Sequence, residues 1–80
     1  AATLEMLKML LRINAGEADV APKLIASSDE LEIIAAEENP RVPTMSGWRY
    51  DLFGKDAMDL KAGKIALSLY KGQIKKTILS

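Results

Sequence analysis

Arg49, Tyr50, Lys55, Lys61, Lys64 and Lys71 interleave cations with an aromatic ring in the second half of this chain. Such a set can do non-covalent chemistry: ammonium and guanidinium groups meet phosphates, and an exposed ring stacks on an unpaired base. The charge balance points the same way. Residues 1–39 hold three basic groups (Lys8, Arg12, Lys23) against eight acids, a net of −5; residues 40–80 hold eight basic groups against Asp51, Asp56 and Asp59, a net of +5. The formal total is +0. A locally positive face on a neutral molecule is one of the few sequence-level signs of a polyanion partner. An ordinary small core with a solvated rim, its Lys71, Lys75 and Lys76 guarding a strand edge, has the same composition.

The chemistry this chain lacks is equally informative. It has no His, which removes the commonest general base and metal ligand, and no Cys, which excludes disulfides and thiolate metal sites. A two-metal centre needs several carboxylates converging within a few Å. Asp29, Glu30, Glu32, Glu37 and Glu38 instead fall at the start and end of one expected helix. Ser27 and Ser28 have no base at motif spacing. Gly47, Gly54, Gly63 and Gly72 form no phosphate loop and read as turn punctuation. Catalytic residues, metal ligands and cofactors are therefore expected to be none in this chain.

The elements that must position the basic groups follow from periodicity. At 80 residues the chain is expected to be one domain over 1–80, with a marginal stability of about 4–8 kcal/mol. Thr3 is a candidate N-cap for a first helix in which Leu4, Leu7, Leu10, Leu11 and Asn14 follow at helical spacing, with Asn14-Ala15-Gly16 as its stop. Met6, Met9 and Ile13 widen its apolar surface until only Glu5, Lys8 and Arg12 form a polar stripe. A helix this apolar must be covered on most sides, by the core or by a neighbour.

Val20-Ala21-Pro22 opens a short second helix with Leu24 and Ile25 pointing inward. Ser28 caps a third, whose first-turn acids suit the helix dipole. Glu37-Glu38-Asn39-Pro40 ends it, and a proline-bearing loop follows. Ser46 or Thr44 caps a helix through Trp48, Tyr50, Leu52 and Phe53 that Gly54 ends. Asp56 caps a last helix closed by Ala62-Gly63. Phe53 is expected as a core anchor, and Trp48 either as a second core anchor, the reading a small core favours, or as a stacking platform for an unpaired base. Tyr50 and Tyr70 are expected to be partly exposed.

After Gly63 the period becomes two. Ile65, Leu67 and Leu69 alternate with Ala66, Ser68 and Tyr70, and after Lys71-Gly72 the alternation resumes through Ile78. This predicts a hairpin with Leu69 opposite Ile74 and Ile65 opposite Ile78. The fold class is mainly α: a small orthogonal bundle of four to five short helices with a C-terminal β-hairpin.

Two stretches then carry a family resemblance. Gly47-Trp48-Arg49-Tyr50-Asp51-Leu52-Phe53-Gly54-Lys55-Asp56-Ala57 with Leu60-Lys61-Ala62-Gly63-Lys64, and Val20 to Glu32, resemble the C-terminal region of bacterial ribonuclease D proteins. The resemblance implies a helical module of the helicase-and-ribonuclease-D C-terminal (HRDC) type. It also implies an N-terminal exonuclease domain elsewhere, where clustered acids hold two divalent metals that cleave RNA from its 3′ end in tRNA maturation. None of that domain's catalytic motifs matches a position here, and the hairpin departs from the all-helical pattern. A start on a helix without an initiator Met is expected of a module of a longer, cytoplasmic protein.

Two functions are thus expected. One is an accessory module that holds tRNA precursors weakly and non-specifically, with Arg49, Tyr50, Lys55, Lys61, Lys64 and Lys71 as its RNA-binding residues. The other is a protein-interaction module that docks on the parent exonuclease domain or dimerises through the apolar first helix. No apolar run approaches a membrane span, so no membrane partner is expected.

Overall fold

A computed structural model describes residues 2–79; Ala1 and Ser80, the ends of the expected domain, lie outside the described residues. The architecture is the mainly helical one expected, with a C-terminal antiparallel hairpin. Helix α1 (Ala2–Ala18) is the central element and buries Leu7, Leu10, Leu11, Asn14 and Ala15. Helices α2 (Pro22–Ile25) and α3 (Ser28–Ala36) pack against it. A 3₁₀ turn (Pro43–Met45) leads to α4 (Gly47–Arg49), a π-helical segment (Tyr50–Gly54) and α5 (Lys55–Lys61). The strands are β1 (Ile65–Tyr70) and β2 (Gln73–Ile78).

The core joins Leu7, Leu10, Leu11 and Ala15 of α1 to Ile25 and Ala26, to Leu31 and Ile34 of α3, and to Phe53 and Ala57. Phe53 is wholly buried, as its role as a core anchor requires. Trp48 is not a core residue. It is 47% exposed, because the first turn of α4 lies at the surface while the π segment carries Phe53 inward. Leu24, expected to point inward, is exposed, and Ile25 is the residue of α2 that enters the core.

Several boundaries differ from the sequence reading for identifiable reasons. Helix α1 begins at Ala2, so Thr3 lies inside it, and it runs past Asn14-Ala15-Gly16 to Ala18. It stops where Asp19 turns left-handed (φ 56°) and the N–H groups of Asp19 and Val20 donate to Gly16 O and Ala15 O at 3.3 and 3.0 Å. That pair of bonds is a Schellman cap. The same arrangement closes α5: Gly63 (φ 79°) donates to Leu60 O at 3.1 Å and Lys64 to Asp59 O at 2.8 Å. The expected Ala62-Gly63 ending is therefore observed.

The N-cap of α3 is Ser27 rather than Ser28. Ser27 Oγ accepts from Glu30 N, and Glu30 Oε1 accepts from Ser27 N, both at 3.1 Å, a reciprocal capping box. The other carboxylate oxygen of Glu30 accepts from buried Thr44 Oγ1 at 2.6 Å, which pins the 3₁₀ turn to α3. Ser46 holds the N-cap position of α4 without a side-chain cap bond.

Gly54 does not end a helix, and Asp56 caps none. Arg49, Tyr50, Gly54 and Lys55 all keep right-handed helical dihedrals, so α4, the π segment and α5 run on as one helical stretch. The widened turn is marked by the bond from Lys55 N to Tyr50 O. Gly54 is there for space. A Cβ on it would sit 2.5 Å from Thr44 O, closer than side chains can approach backbone.

The hairpin has the expected register, with Ile65 opposite Ile78, Leu67 opposite Lys76 and Leu69 opposite Ile74. Lys71 and Gly72 both have positive φ (50° and 78°), which gives the tight turn whose twist matches the strands. Among the described residues, no helix is long and apolar enough to cross a membrane.

Candidate nucleic-acid interface

The basic residues after Pro40 divide into groups with different surroundings. Two of them are engaged inside the fold. Lys61 Nζ donates to the carbonyls of Ile34 and Glu37, and so closes the C-terminal end of α3, where orphan carbonyls and the negative end of the helix dipole favour a cation. Lys76 Nζ donates to Asn14 Oδ1 at 2.9 Å and Asp56 Oδ2 at 3.0 Å and lies 3.7 Å from Glu17. Asn14 Nδ2 in turn donates to Leu52 O at 2.8 Å and to Asp56 Oδ2 at 3.0 Å. This network ties α1, the π segment, α5 and β2 together around a buried amide.

Arg49 forms a second group with Trp48. Its guanidinium carbon lies 4.5 Å from the Trp48 ring centroid, within cation–π range, and its Nε donates to Leu24 O at 2.9 Å. The third group surrounds Tyr70 at the hairpin turn, where Lys71 Nζ and Lys75 Nζ stand 5.5 and 5.7 Å from the ring centroid. Tyr70 is 59% exposed and Tyr50 is at the surface of the π segment, both partly exposed as expected. Lys55 and Lys64 are exposed. Among the described residues the ion pairs are Lys8–Glu5, Lys76–Glu17 and Lys76–Asp56, so Arg49, Lys55, Lys64, Lys71 and Lys75 have no carboxylate partner there.

Of the six residues singled out from sequence, Arg49, Lys55, Lys64 and Lys71 thus present unpaired cations, Tyr50 presents part of a ring, and Lys61 is turned into the fold. Sequence reasoning weighs Trp48 as a stacking ring but favours the core for it, and it sets Lys75 aside as a strand guard. Their positions beside Arg49 and one residue beyond the Gln73-Ile74 turn exit were the available signals.

The acids do not form a rival site. Glu17, Asp51 and Asp56 share a cleft with Asn14 and Lys76, but among the described residues no group of three or more His, Cys, Asp or Glu is placed to hold a metal ion. Glu30 is occupied as well. Burial raises its carboxyl, but the bonds from Thr44 and Ser27 outweigh that and hold it below its ordinary value of 4.5.

The structure therefore defines a small helical module with a hairpin, bearing two cation–aromatic clusters. Comparison with known proteins shows what the chain is similar to. The chain is 48% identical over 75 residues to a protein named ribonuclease D from Zymomonas mobilis, 47% over 74 residues to one from Granulibacter bethesdensis, and 43% over 76 residues to one from Bartonella henselae. These alignments cover 94%, 92% and 91% of the chain but only 19%, 19% and 18% of the relatives. The chain thus spans about a fifth of the length of the proteins it matches. The resemblance to ribonuclease D is borne out, and it is that of a small domain consistent with the C-terminal part of such a protein. No family model and no solved structure matches the chain.

Proposed function

We propose that this chain is an accessory RNA-binding module, of the HRDC type, belonging to a cytoplasmic 3′–5′ exoribonuclease that matures tRNA ends. The module holds RNA while the catalytic domain of the parent protein, with its divalent metals, does the cutting. Among the described residues no group of three or more His, Cys, Asp or Glu could hold a metal ion, and no reaction step is assigned to this chain. The observation that carries the reading is the set of cations without carboxylate partners among the described residues, with exposed Lys71 and Lys75 against an exposed Tyr70 and half-buried Arg49 against Trp48. Contacts of this kind are sequence-independent and weak, with Kd on the order of 10⁻⁴–10⁻⁶ M at physiological salt.

Charge reversal tests it. Lys55→Glu, Lys64→Glu and Lys75→Glu alter exposed side chains and should leave the fold intact while each lowers the affinity for a tRNA precursor in a filter-binding titration. Unchanged binding by the triple variant would refute the reading.

A second reading is favoured by one observation. Met6, Met9, Leu69, Ile74, Ile78 and Leu79 remain exposed, and Met9 shares an apolar groove with Leu67, Leu69 and Ile74. Strand β1 carries no charge from Ile65 to Tyr70, whereas β2 carries Lys75 and Lys76. An uncharged edge beside exposed apolar groups is a surface that natural sheets usually guard. This face docks on the parent protein or on a second copy. Sedimentation over a concentration series distinguishes the second copy: a dimer that Leu69→Lys dissolves supports it, and a strict monomer refutes it.

A further inference from the structure

Trp48 presents a problem that packing does not solve. It is the only Trp of a chain with a single Phe, yet the Phe is wholly buried and the Trp is 47% exposed. Burying its ring would have removed a large apolar area from water. The ring is instead held in a fixed polar setting. Gly47 enters α4 with φ 64° and sets Trp48 in the first turn, and the next residue, Arg49, lies with its guanidinium carbon 4.5 Å from the ring centroid. The bond from Arg49 Nε to Leu24 O at 2.9 Å fixes that guanidinium and leaves the Nη hydrogens available. No carboxylate pairs with Arg49 among the described residues. Fixing the group in advance lowers the entropy lost when a ligand is bound.

We propose that Trp48 and Arg49 form a stacking site for one unpaired nucleobase of single-stranded RNA, with the Nη groups of Arg49 directed to the adjoining phosphate. The proposal rests on the RNA-binding reading above and specifies where a base is held. Indole is the best surface for both partners: it stacks on any base and holds a guanidinium by its ring quadrupole. Such a site tolerates any sequence and requires a strand whose bases are free. A duplex offers it none.

The lone Trp is its own reporter. The 80-residue chain is titrated with dye-labelled oligouridylate, reading label anisotropy and Trp emission in the same samples. Quenching of Trp48 with the same midpoint as the anisotropy is expected. Trp48→Leu should weaken binding by about 5- to 150-fold, the range one stacked base supplies. Trp48→Phe should weaken it less, and the thermal melt of each variant reports whether the fold persists. Arg49→Lys, which keeps the charge and loses the planar fork, should also weaken it. Anisotropy that rises while Trp emission stays constant, or a folded Trp48→Leu that binds as the parent does, overturns the stacking site and leaves the RNA reading standing. No anisotropy change at low salt overturns both. Emission that responds to the catalytic part of a ribonuclease D and not to RNA assigns the pair to a protein contact and overturns the proposal.

Discussion

Replacing Lys76 with Met tests the network that joins the hairpin to the helical body. Met keeps the apolar stem that packs beside α1 and deletes the ammonium. Two bonds are lost, to Asn14 Oδ1 at 2.9 Å and to Asp56 Oδ2 at 3.0 Å. The Glu17 contact at 3.7 Å counts for little because that side chain is 66% exposed. Hydrogen bonds to charged groups contribute about 1.5–3 kcal/mol each when well shielded. Here the Lys76 and Asp56 side chains are 21% and 30% exposed, which screens them. Against that, the 4%-exposed Asn14 loses the partner of its carbonyl oxygen. The balance is a loss of about 2 kcal/mol, or about 8–16 °C in Tm for a domain of this size. Thermal and urea unfolding followed by circular dichroism measure it, and a double-mutant cycle with Asp56→Asn isolates the pair. A coupling energy near 1 kcal/mol or more is expected. A loss below about 0.5 kcal/mol, or additivity with Asp56→Asn, would show that the network is a surface contact.

Other perturbations test the remaining elements. Gly54→Ala forces a Cβ to within 2.5 Å of Thr44 O and should destabilise the domain by about 2–3 kcal/mol in the same unfolding assay. Lys61→Met should cost about 1–2 kcal/mol by freeing the carbonyls of Ile34 and Glu37, while leaving RNA affinity nearly unchanged because that ammonium faces inward. The Glu30 carboxyl is held below 4.5, so its stabilisation is complete above the unfolded-state value and is lost as pH falls below about 4.5 through the folded-state value. A stability profile from pH 7 to pH 3 should therefore fall at its acid end, and Glu30→Gln should flatten that part of the fall.

What could be read from sequence was set by local rules. The Lys-Gly turn and the two-residue alternation fix the hairpin register, because a slip by one residue would turn Ile65 out of the core. The α1 stripe of Leu7, Leu10 and Leu11 was legible from spacing alone. The cap of α3 was legible in principle: Ser27 and Glu30 stand three apart, the spacing of a capping box, and Ser28 lacks that partner. Gly54 and Asn14 were misread as breaks because both types usually end helices. Only the approach of Thr44 and the distant Lys76 gives them another role, and Asn14 and Lys76 are 62 positions apart. The same limit applies to the candidate site. The charge surplus after residue 40 is visible in the sequence, but tertiary contacts decide that Lys61 and Lys76 are used internally and that Trp48 stays at the surface.

The most direct measurement is an amide chemical-shift map of the 80-residue chain titrated with single-stranded RNA, repeated at higher salt. If the unpaired cations and their rings hold RNA, the shifts should concentrate at Trp48, Arg49 and Lys55 and at Tyr70, Lys71 and Lys75, and fade as salt competes for the phosphates. Shifts confined to Met6, Met9 and Leu69, or no shifts even at low salt, would contradict it.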